Sequence, residues 1–214
     1  DAADGTRALT ALVKAKDDPA RRTAVAAAKA SALAAIEKAD PQYSYMKVLR
    51  EVLPDDGIVV DEVTQLGYIL WYGYPVHQPR RLISSGFSGT LGYGFPTALG
   101  VKIANPDRPV VSVTGDGGFL FGGSDLATAK QFGINLVTVV VNNSSYGNVQ
   151  RDQQRIYEGR HSGAVLTNPD FQAYARAFGV GAWRVETADA FRGALKEALA
   201  SEAPAVIEVM SDIT

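Results

Sequence analysis

Val110-Val111-Ser112-Val113-Thr114-Gly115-Asp116-Gly117-Gly118-Phe119 carries the clearest structural signal of the sequence. A β-forming run leads straight into an aspartate held between glycines. Short strands of this kind, without polar alternation, are buried on both faces, which is the habit of a parallel sheet. The glycines permit a tight turn and a close approach of backbone to a ligand. A second run, Leu136–Val141, ends in Asn142-Asn143-Ser144-Ser145-Tyr146-Gly147. Working outward, strands are expected at Ile58–Asp61, Arg81–Ser85, Ala182–Val185 and Ala205–Met210. Helical segments fall between them, near Gln65–Tyr72, Leu91–Ala104, Ser124–Phe132, Asp170–Phe178 and Asp189–Ala200, the last capped by Thr187. Tyr45, Val48, Leu49 and Val52 recur at helical spacing, which predicts one more helix, capped by Ser44 and stopped by Pro54-Asp55-Asp56-Gly57. The fold expected is α/β: a doubly wound, six-stranded, mainly parallel sheet with helices on both faces. Such sheets bind ligands at the carboxyl ends of their strands.

Residues 1–40 read differently. They are Ala-rich, and Asp18-Pro19 reads as the cap and first residue of a helix with a thin apolar stripe (Val25, Leu33, Ile36). Thr6–Val13 forms a short helix in this reading. From the abrupt start, residues 1–40 are expected to be a helical linker from a preceding middle domain that is absent here, and 41–214 the ligand-binding domain.

Composition narrows the chemistry. The 214 residues carry 21 Lys and Arg against 23 Asp and Glu, a net charge of −2, so there is no basic excess to draw nucleic acid or an anionic membrane. Without cysteine there is no disulfide, thiolate zinc site or Cys nucleophile, and two histidines exclude a multi-histidine metal site. No apolar run approaches the roughly 20 residues that span a bilayer, and the N-terminus lacks a signal-peptide pattern, so the expected location is the cytoplasm. A metal, if held, is held by oxygen.

Two strand ends supply that oxygen. Asp116 offers a carboxylate, the paired asparagines an amide oxygen, and the turn after them a free carbonyl. Magnesium takes such a hard half-shell and commonly completes it with phosphate oxygens and water. A diphosphate is therefore the implied missing ligand, with glycine N–H groups for its remaining oxygens. Taken alone, the Gly-Asp-Gly triplet is also a plain turn.

The 24 residues Gly118–Val141 between the two pieces fit one helix and one strand. They also fit the GDG…NN motif of thiamine diphosphate (ThDP) enzymes. From Pro41 to about Met210 the chain resembles the C-terminal, ThDP-binding domain of the acetolactate synthase, pyruvate oxidase and benzoylformate decarboxylase branch. The likeness is carried by Ser85–Pro96 (SGFSGTLGYGFP), Val113–Phe119, Asp125–Ala129 and Val139–Gly147, in the family's order. The resemblance implies ThDP and Mg as cofactors. It implies metal ligation by Asp116, the Asn143 side chain and the Ser145 carbonyl. Gly115, Gly117, Gly118, Tyr146 and Gly147 would surround the diphosphate, and Thr64 and Gln65 would meet its distal phosphate. Leu91 would be the apolar wedge that bends the cofactor, and the Gly89 carbonyl would accept from its 4′-amino group. Leu91 could equally be a core residue of the following helix.

The same resemblance implies a ThDP-dependent lyase or transferase: a 2-oxo acid decarboxylase or carboligase that is acetolactate synthase-like. The family's activating glutamate lies on the pyrimidine-binding domain of a second chain, so this chain alone is expected to be inactive and the full-length protein a homo-oligomer. Glu62 follows a strand but belongs to the wrong domain for that role. The alternatives are a non-catalytic ThDP-binding module and one subunit of a two-subunit decarboxylase. Val149 stands where decarboxylases of the pyruvate type carry an acid. Asn148 and Asp152 replace the Met and Trp of acetolactate synthases, which implies a more polar substrate pocket. Arg151, Arg155 and Arg160 are candidate carboxylate ligands on a polar loop, or solvated charges, and His161 is a candidate proton carrier or a surface residue. Phe87–Pro96 is expected to be a bare apolar surface that meets the partner domain.

Overall fold

The computed structural model describes residues 1–13 and 17–211. Its contacts divide the chain into two units, Asp1–Glu37 and Lys38–Thr214. The first holds helices α1 (Ala2–Leu12) and α2 (Pro19–Ile36). The Asp18 carboxylate accepts from the N–H of Arg21, and Pro19 takes the first turn, where its missing N–H costs nothing. Neither helix has a buried residue, as the thin apolar stripe anticipates.

The second unit runs α3 (Gln42–Val52), β1 (Ile58–Asp61), α4 (Gln65–Gly73), β2 (Leu82–Ser84), α5 (Gly94–Ala104) and β3 (Val110–Gly115). It continues with α6 (Asp116–Gly122), α7 (Leu126–Gln131), β4 (Val137–Asn142), α8 (Gly147–Ile156), α9 (Phe171–Ala177), β5 (Gly181–Val185), α10 (Ala188–Ala200) and β6 (Ala205–Met210). The strands form one sheet in the order β2-β1-β3-β4-β6-β5, and every pairing in it is parallel. Val59, Val111, Val139 and Ile207 face Leu49, Leu70, Phe191 and Leu195 of α3, α4 and α10. Val60, Val110, Val140 and Val206 face Phe95, Phe119, Leu126 and Phe171 of α5, α6, α7 and α9. The sheet is thus doubly wound. On the second face the rings of Phe95 and Phe119 lie 5.3 Å apart, and those of Phe119 and Phe171 5.8 Å, contacts worth about 0.5–1.5 kcal/mol each beyond their burial.

Four local expectations are corrected. Ser44 does not cap α3; Asp40 does the work, accepting from both the N–H and the hydroxyl of Ser44 at 3.1 and 2.8 Å. The helix expected from Leu91 begins at Gly94, because Gly92 is left-handed (φ 81°) and the N–H groups of Gly92 and Gly94 go to Glu62. The segment Ser124–Phe132 is preceded by an unexpected helix: Gly115 is a helix cap and Asp116 the first residue of α6. Residues 147–156, read as a polar loop, are helical.

Strand order fixes where a ligand can sit. The chain leaves β1 toward β2 and returns on the other side of β1 to build β3. Connections therefore diverge between β1 and β3, and a crevice opens at their carboxyl ends. Registers Asp61↔Val113 and Gly115↔Val141 bring the ends of β1, β3 and β4 to nearly one level.

Candidate cofactor site

A cavity of about 290 Å³ occupies that crevice. Its walls come from the ends of four strands: Thr64 and Gln65 after β1, Gly89 and Leu91 after β2, Gly115, Asp116 and Gly117 at β3, and Asn143, Ser145, Tyr146 and Gly147 after β4. Of the residues that the resemblance assigns to metal and cofactor, Gly118 alone is not part of the lining. Val63, Val141, Asn148 and Val149 complete it.

Asp116 is the charged group of the cleft and is 2% exposed. Oδ1 accepts from the N–H of Gly117 at 2.9 Å, and Oδ2 from Asn168 Nδ2 at 2.7 Å. Burial raises its carboxyl above the usual range. Asn168 and the backbone N–H groups of Gly117, Ser144 and Ser145 lower it again in part. The donors are neutral, so a cation beside this carboxylate would offset the desolvation that raises it.

The loop after β4 is shaped around this group. Ser144 is left-handed at φ 54°, and its N–H bonds Asn142 Oδ1 at 3.0 Å, which bends the chain away from the strand. A strap then lies antiparallel to it: Tyr146 N–H donates to Ala164 and Leu166 N–H to Ser144, each at 2.8 Å, around the pair Ser145↔Val165. In a pair bonded through its neighbours, the central residue's own N–H and C=O point away from the partner strand. Ser145 therefore turns both toward Asp116, where its N–H is found. Its hydroxyl oxygen is buried without a hydrogen-bond partner. Asn143 lies alongside Gly147 and Gln65, since a Cβ on Gly147 would be 3.0 Å from Asn143 Nδ2 and 3.5 Å from Gln65 Nε2.

The glycines divide into two jobs. A Cβ on Gly117 would meet Tyr146 Cε1 at 2.4 Å, within the cleft wall. A Cβ on Gly118 would lie 1.8 Å from Glu62 Oε1, on the far side of the turn. Glu62 is 1% exposed and holds the N–H groups of Gly92 and Gly94 at 2.9 and 2.7 Å and the Thr114 hydroxyl at 3.2 Å. Its oxygens are thus occupied in fixing the loop that carries Gly89 and Leu91.

Leu91 lies in that loop, 38% exposed and facing the cavity rather than packed in a helix; Val149, 48% exposed, supplies a second apolar surface. Asn148 is less available than expected: its Nδ2 donates to Tyr68 Oη at 2.6 Å and its Oδ1 accepts from Arg151 at 2.7 Å. Arg155, Arg160 and His161 are exposed and not in the lining; Arg160 donates to the Tyr157 carbonyl and His161 contacts Gln154. In the stretch Phe87–Pro96, Phe87 is wholly exposed, but Phe95 is a core residue, so the bare apolar surface is narrower than expected.

Sequence reasoning missed Asn168. It reaches Asp116 from the loop before α9, and the only local signal, Asn168-Pro169-Asp170, reads as a turn and helix cap.

Residues 62–209 match the protein family described as thiamine pyrophosphate enzyme, C-terminal TPP binding domain. The acetolactate synthase large subunit of Haemophilus influenzae is 44% identical over 126 residues, which is 58% of this chain and 22% of that protein. A probable acetolactate synthase large subunit from Methanocaldococcus jannaschii is 35% identical over 175 residues, 78% of this chain and 30% of its own. Among solved structures, the thiamine diphosphate-dependent 4-hydroxybenzoylformate decarboxylase of Rhodococcus jostii superposes with a TM-score of 0.75 at 33% identity, covering 82% of this chain and 33% of the other. The chain thus spans about a fifth to a third of the length of these relatives.

Proposed function

Because this chain belongs to the thiamine pyrophosphate enzymes through their C-terminal TPP binding domain, we propose that its crevice holds the diphosphate of ThDP through a magnesium ion. The observation that carries the reading is the convergence of Asp116, Asn143, Ser145 and Gly117 on one cavity at the β1/β3 divergence. The donor set fits the ion. It is all oxygen, and among the described residues no cluster of three His, Cys, Asp or Glu could hold a metal by itself. A single carboxylate with amide and carbonyl oxygens suits magnesium only when phosphate oxygens fill further positions. Gly117 has no Cβ because the Tyr146 ring packs 2.4 Å from where one would lie, so that wall of the cavity presents backbone rather than a side chain.

In this reading Asp116, the Asn143 amide oxygen and the Ser145 carbonyl hold the metal. The N–H groups at the start of α6, with Tyr146 and Gly147, take diphosphate oxygens, and Thr64 and Gln65 take the distal phosphate. Leu91 would give the cofactor an apolar support, and the Gly89 carbonyl would accept from its 4′-amino group. When bound, ThDP supplies the nucleophilic carbon and electron sink that 2-oxo acid chemistry needs. The residues of this chain bind, orient and exclude water. The whole protein is then a ThDP-dependent 2-oxo acid decarboxylase or carboligase of the acetolactate synthase type, lyase or transferase. It is cytoplasmic and homo-oligomeric, and its pyrimidine-binding domain comes from a second chain. Among the described residues no helix is long and apolar enough to cross a membrane.

Titration calorimetry of ThDP with and without Mg²⁺ tests the metal assignment. Asp116→Ala is expected to abolish the Mg²⁺-dependent part of binding while thermal unfolding shows a folded protein. Unchanged affinity in that variant rejects the assignment.

A further inference from the structure

Behind the metal-binding carboxylate runs a directed chain of side chains that crosses three strands. Glu208 on β6 is 2% exposed; its Oε1 accepts from Asn142 Nδ2 at 2.7 Å, and its Oε2 lies 3.8 Å from Arg184 Nε on β5. A carboxylate paired with arginine offers only acceptors, so Asn142 must present its amide nitrogen to it. The Asn142 carbonyl then faces the other way, where it takes the Ser144 N–H at 3.0 Å and Asn168 Nδ2 at 2.9 Å. That in turn forces Asn168 to present its own amide nitrogen. Its two hydrogens are divided between Asn142 Oδ1 and Asp116 Oδ2. Asn168 Oδ1 is left buried without a partner, which is the cost of this polarity.

The geometry points to Asn168 as a positioning residue for the metal site, with its direction imposed through Asn142 by Glu208 and the Ser144 N–H together. Resting on the magnesium reading above, it extends that reading to groups that touch neither metal nor cofactor. Asp116 leads α6 with a side chain that could rotate about its first torsion. The Gly117 N–H fixes one oxygen and Asn168 the other, so the carboxylate is held in one orientation before any cation arrives. Were the two amides reversed, a carbonyl oxygen would face the Asp116 carboxylate and repel it.

The test is made on the full-length protein with ThDP present, reading free Mn²⁺ by its electron paramagnetic resonance signal as a probe of the magnesium site. Asn168→Ala is expected to weaken Mn²⁺ binding about tenfold or more, the usual effect of losing a partner that orients a ligand. Glu208→Gln, nearly the same shape, is expected to weaken it by a smaller factor, because it removes one of the two groups that fix the Asn142 amide and leaves the Ser144 N–H. The double variant should be no weaker than Asn168→Ala alone, since both changes act through one carboxylate, whereas independent structural effects would multiply. Thermal unfolding of the metal-free variants should change little. Wild-type Mn²⁺ affinity in Asn168→Ala, or multiplying effects in the double variant, overturns the inference. If Asn168→Ala does not fold, Glu208→Gln decides by itself, and wild-type affinity there overturns it. Asp116→Ala is the control that separates the two levels. Wild-type Mn²⁺ affinity in that variant ends the magnesium reading itself, whereas loss there beside an unaffected Asn168→Ala ends only the positioning role.

Discussion

Asp61 offers a measurement whose size follows from its surroundings. It ends β1 fully buried beneath α4, with Trp71 Nε1 donating to its Oδ2 at 2.5 Å. Burial raises its carboxyl from 3.8 to about 7; the Trp71 indole, its own N–H and the Ser84 side chain lower it only in part. Between those two values the native state holds a proton that the unfolded chain has released. Stability therefore falls as pH rises through the window, and the whole cost is present above pH 7. A shift of about three units corresponds to about 4 kcal/mol, of which roughly 2–3 kcal/mol accrues between pH 5 and pH 8. Asp61→Asn keeps an acceptor for the indole and removes the titration. Urea unfolding of both proteins at pH 5 and pH 8 isolates the effect, because every other group cancels in the comparison. The variant should gain on the wild type by about 2–3 kcal/mol over that interval. A gap that stays constant with pH would show that the carboxyl is not held protonated and that the argument from burial is wrong. The consequence reaches the site, since the α4 that covers Asp61 begins with Gln65 and follows directly on Thr64.

Two further outcomes follow from close packing. Gly118→Ala should lower the melting temperature by several degrees or prevent folding, because Glu62 is pinned by two N–H groups and cannot yield to a Cβ 1.8 Å away. Gly117→Ala should instead weaken ThDP binding with a smaller thermal shift, since the atom it meets belongs to a tyrosine ring on the cleft wall; equal thermal losses in the two variants would contradict this division. Tyr68→Phe removes the bond to Asn148 at the start of α8 and should cost about 1 kcal/mol in urea unfolding while leaving Mg²⁺-dependent ThDP binding in place.

The sheet was legible because its signal is local. Ile58–Asp61 and Ala205–Met210 are strands over the residues expected, since each is an apolar run closed by polar or turn residues. Helices that depend on distant neighbours were not legible. In α6 the sequence DGGFLFG has low helix propensity; it is helical because Gly118 packs on Glu62, and Gly122 passes so close to Pro96 that a Cβ would meet its ring at 2.7 Å. In α8 no residue is buried, and Val149 and Ile156 are its only large apolar side chains, too few to mark an apolar stripe in the sequence.

The site divides along the same line. Residues that line the cavity sit at strand ends, and the motif spacing that names them, which holds α6, α7 and β4, is a local quantity. What orients them is not local. Asn168 is 52 positions from Asp116, and Glu208 is 66 from Asn142. Glu62 shows the difference most sharply. In the sequence it is an acid after a strand, with nothing local to tie it to the Gly-Asp-Gly-Gly turn at 115–118 or to the glycines at 92 and 94. In the structure one carboxylate explains both clusters: it takes the N–H groups of Gly92 and Gly94, and it leaves no space for a side chain at Gly118. The loop carrying Leu91 and the turn carrying Asp116 are therefore hung on a single buried group. The glycine pattern is in part the footprint of Glu62, and of these two clusters Gly115 and Gly117 are the glycines that line the cleft.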